Sequence, residues 1–339
     1  MKKVIASLII VALFLSLLGN KERKEPSNVC LSCASWEKQF NSRDELYQAS
    51  DLVIKGKVLS QEPELRCDLV FSRSYVKVEC VYKTSSKNVI NDAVEIVQTG
   101  GTLNDYTTVP IHGAPLLESG NEYLLFLQLS EPDQVFGQYY LISGGTQGIY
   151  QPDAISSGDD VTQFLAYKGS IRESDLLRSG VDNNYSGWPS LPIAWSSNYA
   201  NFCYSGVTYP SAVSQAFTSW NYSEFTYSYT SSMSTQVQIR ENVYGDVGWY
   251  AKTVAVSNNS GTGLGNAYVS LNHSNMYDLS TFEYKAIVCH EAGHALGIDG
   301  HFDGYTAIMQ SDASNFMSSY NTPRTFDKTN GLYLLYGSP

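Results

Sequence analysis

Between His290 and His301 the chain reads HEAGHALGIDGH, and these residue types at this spacing describe a metal site with a base beside it. His290 and His294 are four residues apart, so on an α-helix their imidazoles stand one turn apart on one face and can grip a single ion. Glu291, next to the first, is placed to act as general base on water activated by that ion without ligating it. Gly297 can take the left-handed conformation that ends a helix sharply. The chain can then double back and bring His301 up as a third ligand, with Asp299 the alternative. Three nitrogens plus one position left for water is the arrangement of a catalytic zinc, whereas structural zinc is closed by four protein ligands. The chain has only five histidines. At that frequency a chance His-Glu-x-x-His occurs in roughly 0.007 of chains of this length.

The elements that must position these residues are legible around them. Ser280 and Glu283 form a capping box, so the histidine helix starts at Ser280, and Tyr284, Ile287, Val288 and Ala295 can supply its buried side. Val213, Ala216, Phe217 and Trp220 recur at helical spacing, which predicts an amphipathic core helix over 211–221. Residues 237–240, 253–256 and 266–272 read as strands. Nearer the amino terminus, 52–58, 75–82, 94–97 and 123–127 are strand-length apolar or alternating pieces separated by turn residues such as Gly100-Gly101, which suggests a small barrel of the OB type. The polar, glycine-containing stretch 174–187 reads as a linker. The chain therefore divides into a leader and spacer at 1–27, an all-β domain at 28–173, the linker, and a second domain at 188–339.

The run HEAGHALG, then His301, then Ala307-Ile308-Met309, resembles the metzincin signature HExxHxxGxxH followed by its Met-turn, and within that clan it is most similar to the matrixins. The third histidine comes one residue late, with Gly300 standing in the usual place and giving the bend conformational room. Trp188-Pro189 and residues 192–195 resemble the opening strand of matrixins, and Phe326-Asp327 with 331–337 their closing helix. This resemblance implies a twisted mixed sheet with three main helices, zinc held by His290, His294 and His301, and Met309 as an apolar floor beneath the metal. It also implies that the strand before the helix, with Ala267, Tyr268, Val269, Ser270 and Leu271, pairs with an extended peptide substrate. Calcium is a candidate second ion, with Asp299 and Asp303 as loop carboxylates, although no twelve-residue calcium loop is present. In the first domain, SDLVIKGKVLS and LLESGNEYLLFL resemble the netrin-like module of the tissue inhibitors of metalloproteinases. Those inhibitors begin with Cys-x-Cys, whose amino group reaches a protease zinc, whereas this chain has Cys30-Leu-Ser-Cys33. An accessory or pro-domain is the expectation, with intramolecular regulation or inhibition of a protease as the alternative.

Met1-Lys2-Lys3 followed by the apolar run 4–18 reads as a secretory leader, too short for a comfortable membrane span, although an uncleaved anchor is its alternative. Six cysteines in an exported chain suggest disulfides, grouped here by domain as Cys30–Cys33, Cys67–Cys80 and Cys203–Cys289. A net charge of −11 argues against nucleic acid or an anionic membrane as partner. His273 reads as structural and His112 as incidental. The expectation is an α+β, secreted zinc-dependent metalloendopeptidase acting on a protein or peptide. The alternative is a metzincin scaffold that has lost catalysis in a binding or regulatory protein, and a zinc amidase would share the metal site.

Overall fold

The structure is a computed structural model and describes residues 29–40, 42–85, 92–111, 114–133, 135–145, 147–150, 194–258, 263–302 and 305–339. The leader, the linker, the opening segment at 188–193, His112 and Asp303 lie outside the described residues.

Strand β1 (Val29–Trp36) is followed by helix α1 (Arg43–Ala49), whose first turn is capped by the Ser42 hydroxyl. Then come β2 (Leu52–Arg66), β3 (Leu69–Thr84), β4 (Ala93–Thr99), the small β5–β6 hairpin (Gly101–Leu103, Tyr106–Thr108), β7 (Glu122–Leu129), β8 (Tyr140–Ile142) and β9 (Ile149–Tyr150). The order β2-β3-β4-β8-β7 closes on itself, because β7 pairs back onto β2 with Leu127 opposite Leu52. Closure leaves these five strands without an open edge. Alternate residues turn inward, so Leu52, Ile54, Val76, Ile96, Leu125 and Leu127 share one core.

Beyond the apolar patterns that predict them, β2 and β3 run on as a long hairpin that turns at Cys67, where φ is 55°. Its tip reaches the second half of the molecule. Buried Arg66 donates to the Tyr244 carbonyl and the Tyr139 hydroxyl, both at 2.9 Å, and the Tyr244 hydroxyl donates to Asp68 at 2.6 Å. Phe71, Val97 and Leu141 from the barrel side pack with Ala34, Val247 and Trp249 in one apolar cluster. The two halves share a core.

The second half contains β10 (Tyr199–Ser205), α2 (Pro210–Thr218), β11 (Thr226–Tyr229), β12 (Val237–Asn242), β13 (Trp249–Ser257), β14 (Leu264–Asn272), the short α3 (His273–Met276) and α4 (Thr281–Leu296). Proline at its first position starts α2, and the helix stops earlier than the 211–221 pattern predicts. The sheet order is β1-β13-β14-β12-β10-β11, with β10, β11, β12 and β14 parallel and β13 antiparallel to both its neighbours. Val213, Phe217 and Trp220 of the α2 region and Ile287 and Val288 of α4 fill the core on one face. The closing segment is three short helical pieces, Thr325–Asp327, Lys328–Leu332 and Tyr333–Tyr336, rather than one helix. The architecture is α+β: a closed five-stranded barrel beside a six-stranded mixed sheet with helices.

Three expectations need correction. Strand β1 lies before the barrel in sequence, yet it pairs with β13 and belongs to the second sheet, not to the all-β unit. Strand β14 is hydrogen-bonded on both sides, to β12 and to β13, so Ala267–Leu271 has no free edge for an incoming peptide. The proposed disulfides do not form, since Cys33, Cys67, Cys80 and Cys289 all carry free thiols. Cys67 sits in the hairpin turn while Cys80 lies far along β3 opposite Lys55. At the rise of a strand that puts them roughly 40 Å apart, well beyond disulfide reach.

Candidate active site

Helix α4 carries the site, and its ends are fixed as the sequence dictates. The Ser280 hydroxyl accepts from the Glu283 amide while the Glu283 carboxylate accepts from the Ser280 amide, and Gly297 ends the helix at φ 105°. From Ala286 to Leu296 every residue is buried, so the polar groups within that stretch need partners.

They have them on one side only. The Nδ1 of His290 donates to the Ile308 carbonyl and the Nδ1 of His294 to the Ile298 carbonyl, both at 2.8 Å. Each bond fixes the tautomer that leaves a lone pair on Nε2. The two Nε2 atoms stand 3.0 Å apart, facing each other. His301 is brought to them by the bend after Gly297, in which Gly300 adopts φ 86°. That value is readily available to glycine and rarely to other residues, so the extra residue in the bend is accommodated there. The Nε2 of His301 is buried and has no hydrogen-bond partner. Ligand atoms of all three histidines lie within 4.8 Å of one another, and Asp299 is not part of that group.

Burial pushes the His290 imidazole well below its ordinary pKa, and the neighbouring His294 and His301 add to this. Burial likewise lowers His294 to about 4 and is the larger cause of the lowering at His301. Three neutral imidazoles are thus gathered at one place, and those of His290 and His294 turn their Nε2 lone pairs toward each other. The donor set fits a soft or borderline divalent cation, which relieves both the lone-pair opposition and the orphaned His301 nitrogen.

The floor is apolar. Met309 is fully buried, and a Cβ added to Gly293 would lie 2.4 Å from its sulfur and 2.9 Å from Trp220. Glycine between the two histidine turns lets the Met309 thioether press against the helix. The turn bearing Met309 is held by buried Asp327, whose carboxylate accepts from the amides of Ile308 (2.9 Å) and Met309 (3.1 Å). The Phe316 ring stacks on His290 at 5.2 Å between centroids.

Glu291, next to His290 on the helix, is wholly buried. Its carboxylate accepts from the Thr253 hydroxyl of β13 at 2.5 Å and from the Ser35 hydroxyl of β1. Burial raises its pKa to about 7 against the pull of these hydroxyls. Neither Ser35 nor Thr253 belongs to a motif, and Ser35 lies 256 positions from Glu291. The strand-like sequences VCLSCASW and WYAKTVAVS were the only available signal, and neither says which strand pairs with which. His273 stands apart from the cluster, 2.7 Å from the Glu241 carboxylate, which also accepts from the Tyr284 hydroxyl. Its role is structural.

No protein-family model and no curated protein matches this chain. Among solved structures, two of myroilysin are similar at 19% and 20% identity with TM-scores of 0.23 and 0.22. The matches cover 39% and 41% of this chain and 64% and 69% of those structures. A likeness of this size does not by itself assign a chemistry. Among the described residues no helix is long and apolar enough to cross a membrane.

Proposed function

We propose that this chain is an exported, zinc-dependent endopeptidase, its second half a metzincin-type catalytic domain of matrixin kind and its barrel an OB-type module. The observation that carries the reading is the gathering of His290, His294 and His301, the first two held in the tautomer that leaves Nε2 unprotonated, beside a buried glutamate on the same helix. His290, His294 and His301 would hold the zinc ion, with the Ile308 and Ile298 carbonyls keeping two of the rings in the ligating tautomer. A zinc bound there supplies Lewis acidity toward a peptide carbonyl and lowers the pKa of water. Glu291 takes the proton from the attacking water on a carboxylate oxygen and returns it to the departing amine. The Thr253 hydroxyl keeps the carboxylate aligned, and Met309 serves as packing rather than as ligand.

The late third histidine is the one feature that favours the scaffold alternative; against it, the left-handed Gly300 accommodates the extra residue and His301 lies with His290 and His294, which supports the enzyme reading. The test is zinc stoichiometry on the full chain beside His301→Ala and Asp299→Ala. The expected result is one zinc per parent chain, at least a hundredfold weaker zinc binding in His301→Ala, and little change in Asp299→Ala. Failure of the parent chain to retain zinc would overturn the reading.

A further inference from the structure

The third histidine hangs on a bend that does not hold its own shape. Between the end of α4 and His301 the chain turns at Gly297, with φ 105°, and again at Gly300, with φ 86°. Two glycines in the left-handed region are soft pivots, so the path of the bend is set by what touches it. The bend carries two parts of the site. It ends on His301, and on the way it presents the Ile298 carbonyl that accepts from His294 Nδ1 at 2.8 Å.

The bend starts from two buried carbonyls. A helix leaves its last four carbonyls without helical partners. At the end of α4 the Gly297 amide closes onto the His294 carbonyl at 2.9 Å and the Ile298 amide onto the Gly293 carbonyl at 3.2 Å, which accounts for two of them. Ala295 and Leu296 are fully buried, so their carbonyls need partners from the protein. Both are met by aromatic side chains from outside the helix. The Trp195 indole donates to the Ala295 carbonyl at 3.0 Å, and the Tyr336 hydroxyl donates to the Leu296 carbonyl at 2.8 Å. The Tyr336 oxygen in turn accepts from the Trp195 amide at 3.1 Å. A residue just ahead of β10 and one from the last helical piece are thereby clasped together against the end of the histidine helix.

The rest of the closing segment backs the bend further along. A Cβ added to Gly331 would lie 2.6 Å from the Ile298 side chain, and the Phe326 ring meets Phe302, next to His301, at 5.4 Å between centroids. Those two contacts are apolar and limit how closely the parts approach. The Tyr336 contact is a directed hydrogen bond, so it also fixes the orientation of the peptide that leads into Gly297.

We propose that Tyr336 is a positioning residue for the metal site: its hydroxyl, braced by Trp195, holds the Leu296–Gly297 peptide so that the glycine bend delivers His301 and the Ile298 carbonyl to the cluster. This rests on the metal-binding part of the reading given above. Without the hydroxyl the buried Leu296 carbonyl loses its partner, and rotation at the Gly297 pivot toward another donor would carry His301 away from His290 and His294.

The experiment compares the full chain with Tyr336→Phe and Tyr222→Phe. Phenylalanine at 336 keeps the ring, which packs on Phe225 at 4.5 Å between centroids, and removes only the oxygen. The Tyr222 hydroxyl donates to the Gly337 carbonyl at 2.8 Å, so its loss removes a bond of the same kind from the same end of the chain without touching α4. Chelator competition for zinc and the visible absorption of the cobalt(II)-loaded proteins read the metal site, while urea unfolding of the metal-free proteins reads the fold. Tyr336→Phe should bind zinc roughly tenfold or more weakly and shift the cobalt bands, the size of effect expected when an outer partner of a ligand is removed. Tyr222→Phe should match the parent in both. Unchanged zinc affinity and cobalt bands in Tyr336→Phe overturn the proposal, and so does an equal loss in Tyr222→Phe, which marks a general loosening of the chain end. A parent chain that takes up neither ion overturns the metal reading, and this proposal with it.

Discussion

Replacing Glu291 with glutamine separates what this residue does for catalysis from what it costs the fold. The carboxyl is wholly buried, and its pKa rises from 4.5 to about 7 in the metal-free protein, chiefly through burial. A raised carboxyl pKa means the folded state favours the protonated form. Its contribution to stability is therefore fully present below pH 4.5 and is lost as pH rises through 7. A shift of that size corresponds to about 3 kcal/mol at pH 8.5. Glutamine occupies the same space and can exchange hydrogen bonds with the Ser35 and Thr253 hydroxyls, but it carries no charge to desolvate. Urea unfolding of the metal-free proteins at pH 4, 6 and 8.5 should show Glu291→Gln matching the parent at pH 4 and exceeding it by roughly 2–3 kcal/mol at pH 8.5. In the zinc-loaded form, the same variant should keep its metal and lose 10²–10⁴-fold or more in cleavage, about the size of a general-base contribution. A stability difference that does not change with pH would refute the buried carboxylate. Near-normal cleavage would refute its role as base.

Two further expectations test the surroundings. Gly293→Ala gains about 1 kcal/mol in helix propensity, but its Cβ would lie 2.4 Å from the Met309 sulfur and 2.9 Å from Trp220, an overpacking that costs about 1–3 kcal/mol. A net loss of about 1 kcal/mol, with weaker zinc retention, should appear in denaturant unfolding and chelator competition; a more stable protein would show that Met309 is free to move aside. Glu37, just past β1, has its pKa raised to about 7 by burial first and then by Asp246 and Asp278. It too stabilises below pH 4.5 and loses that contribution as pH rises through 7, worth roughly 1–2 kcal/mol once its partial exposure is allowed for. After correction for intrinsic rates, β1 amides should exchange faster at pH 8.5 than at pH 6, and Glu37→Gln should remove the difference.

What could be read from the sequence was local. Two histidines one turn apart, a capping box at Ser280 and a helix stop at Gly297 each depend on residues within a few positions, and each appears as expected. The barrel was visible for the same reason, since alternation along a strand reports its two faces. Pairing between strands is not local. Nothing in NAYVSLN distinguishes an interior strand from an edge strand, and the last strand before the helix turned out to be flanked on both sides. The same limit hid β1: its eight residues look like a strand, but their partner is separated from them by the whole barrel.

That separation is also why detachment of β1 and release of the barrel are distinct events. Strand β1 supplies Ala34, with Trp36 packed alongside, to the apolar cluster between the halves. Phe71, Val97, Leu141, Val247 and Trp249 remain in that cluster without it. Arg66 at the hairpin tip still reaches the Tyr244 carbonyl, and Thr99 still accepts from Trp249. A cut between β1 and β2 would therefore free the segment that carries β1 while leaving the barrel held to Tyr244, Val247 and Trp249. The effective concentration that keeps β1 in place would vanish with the covalent link.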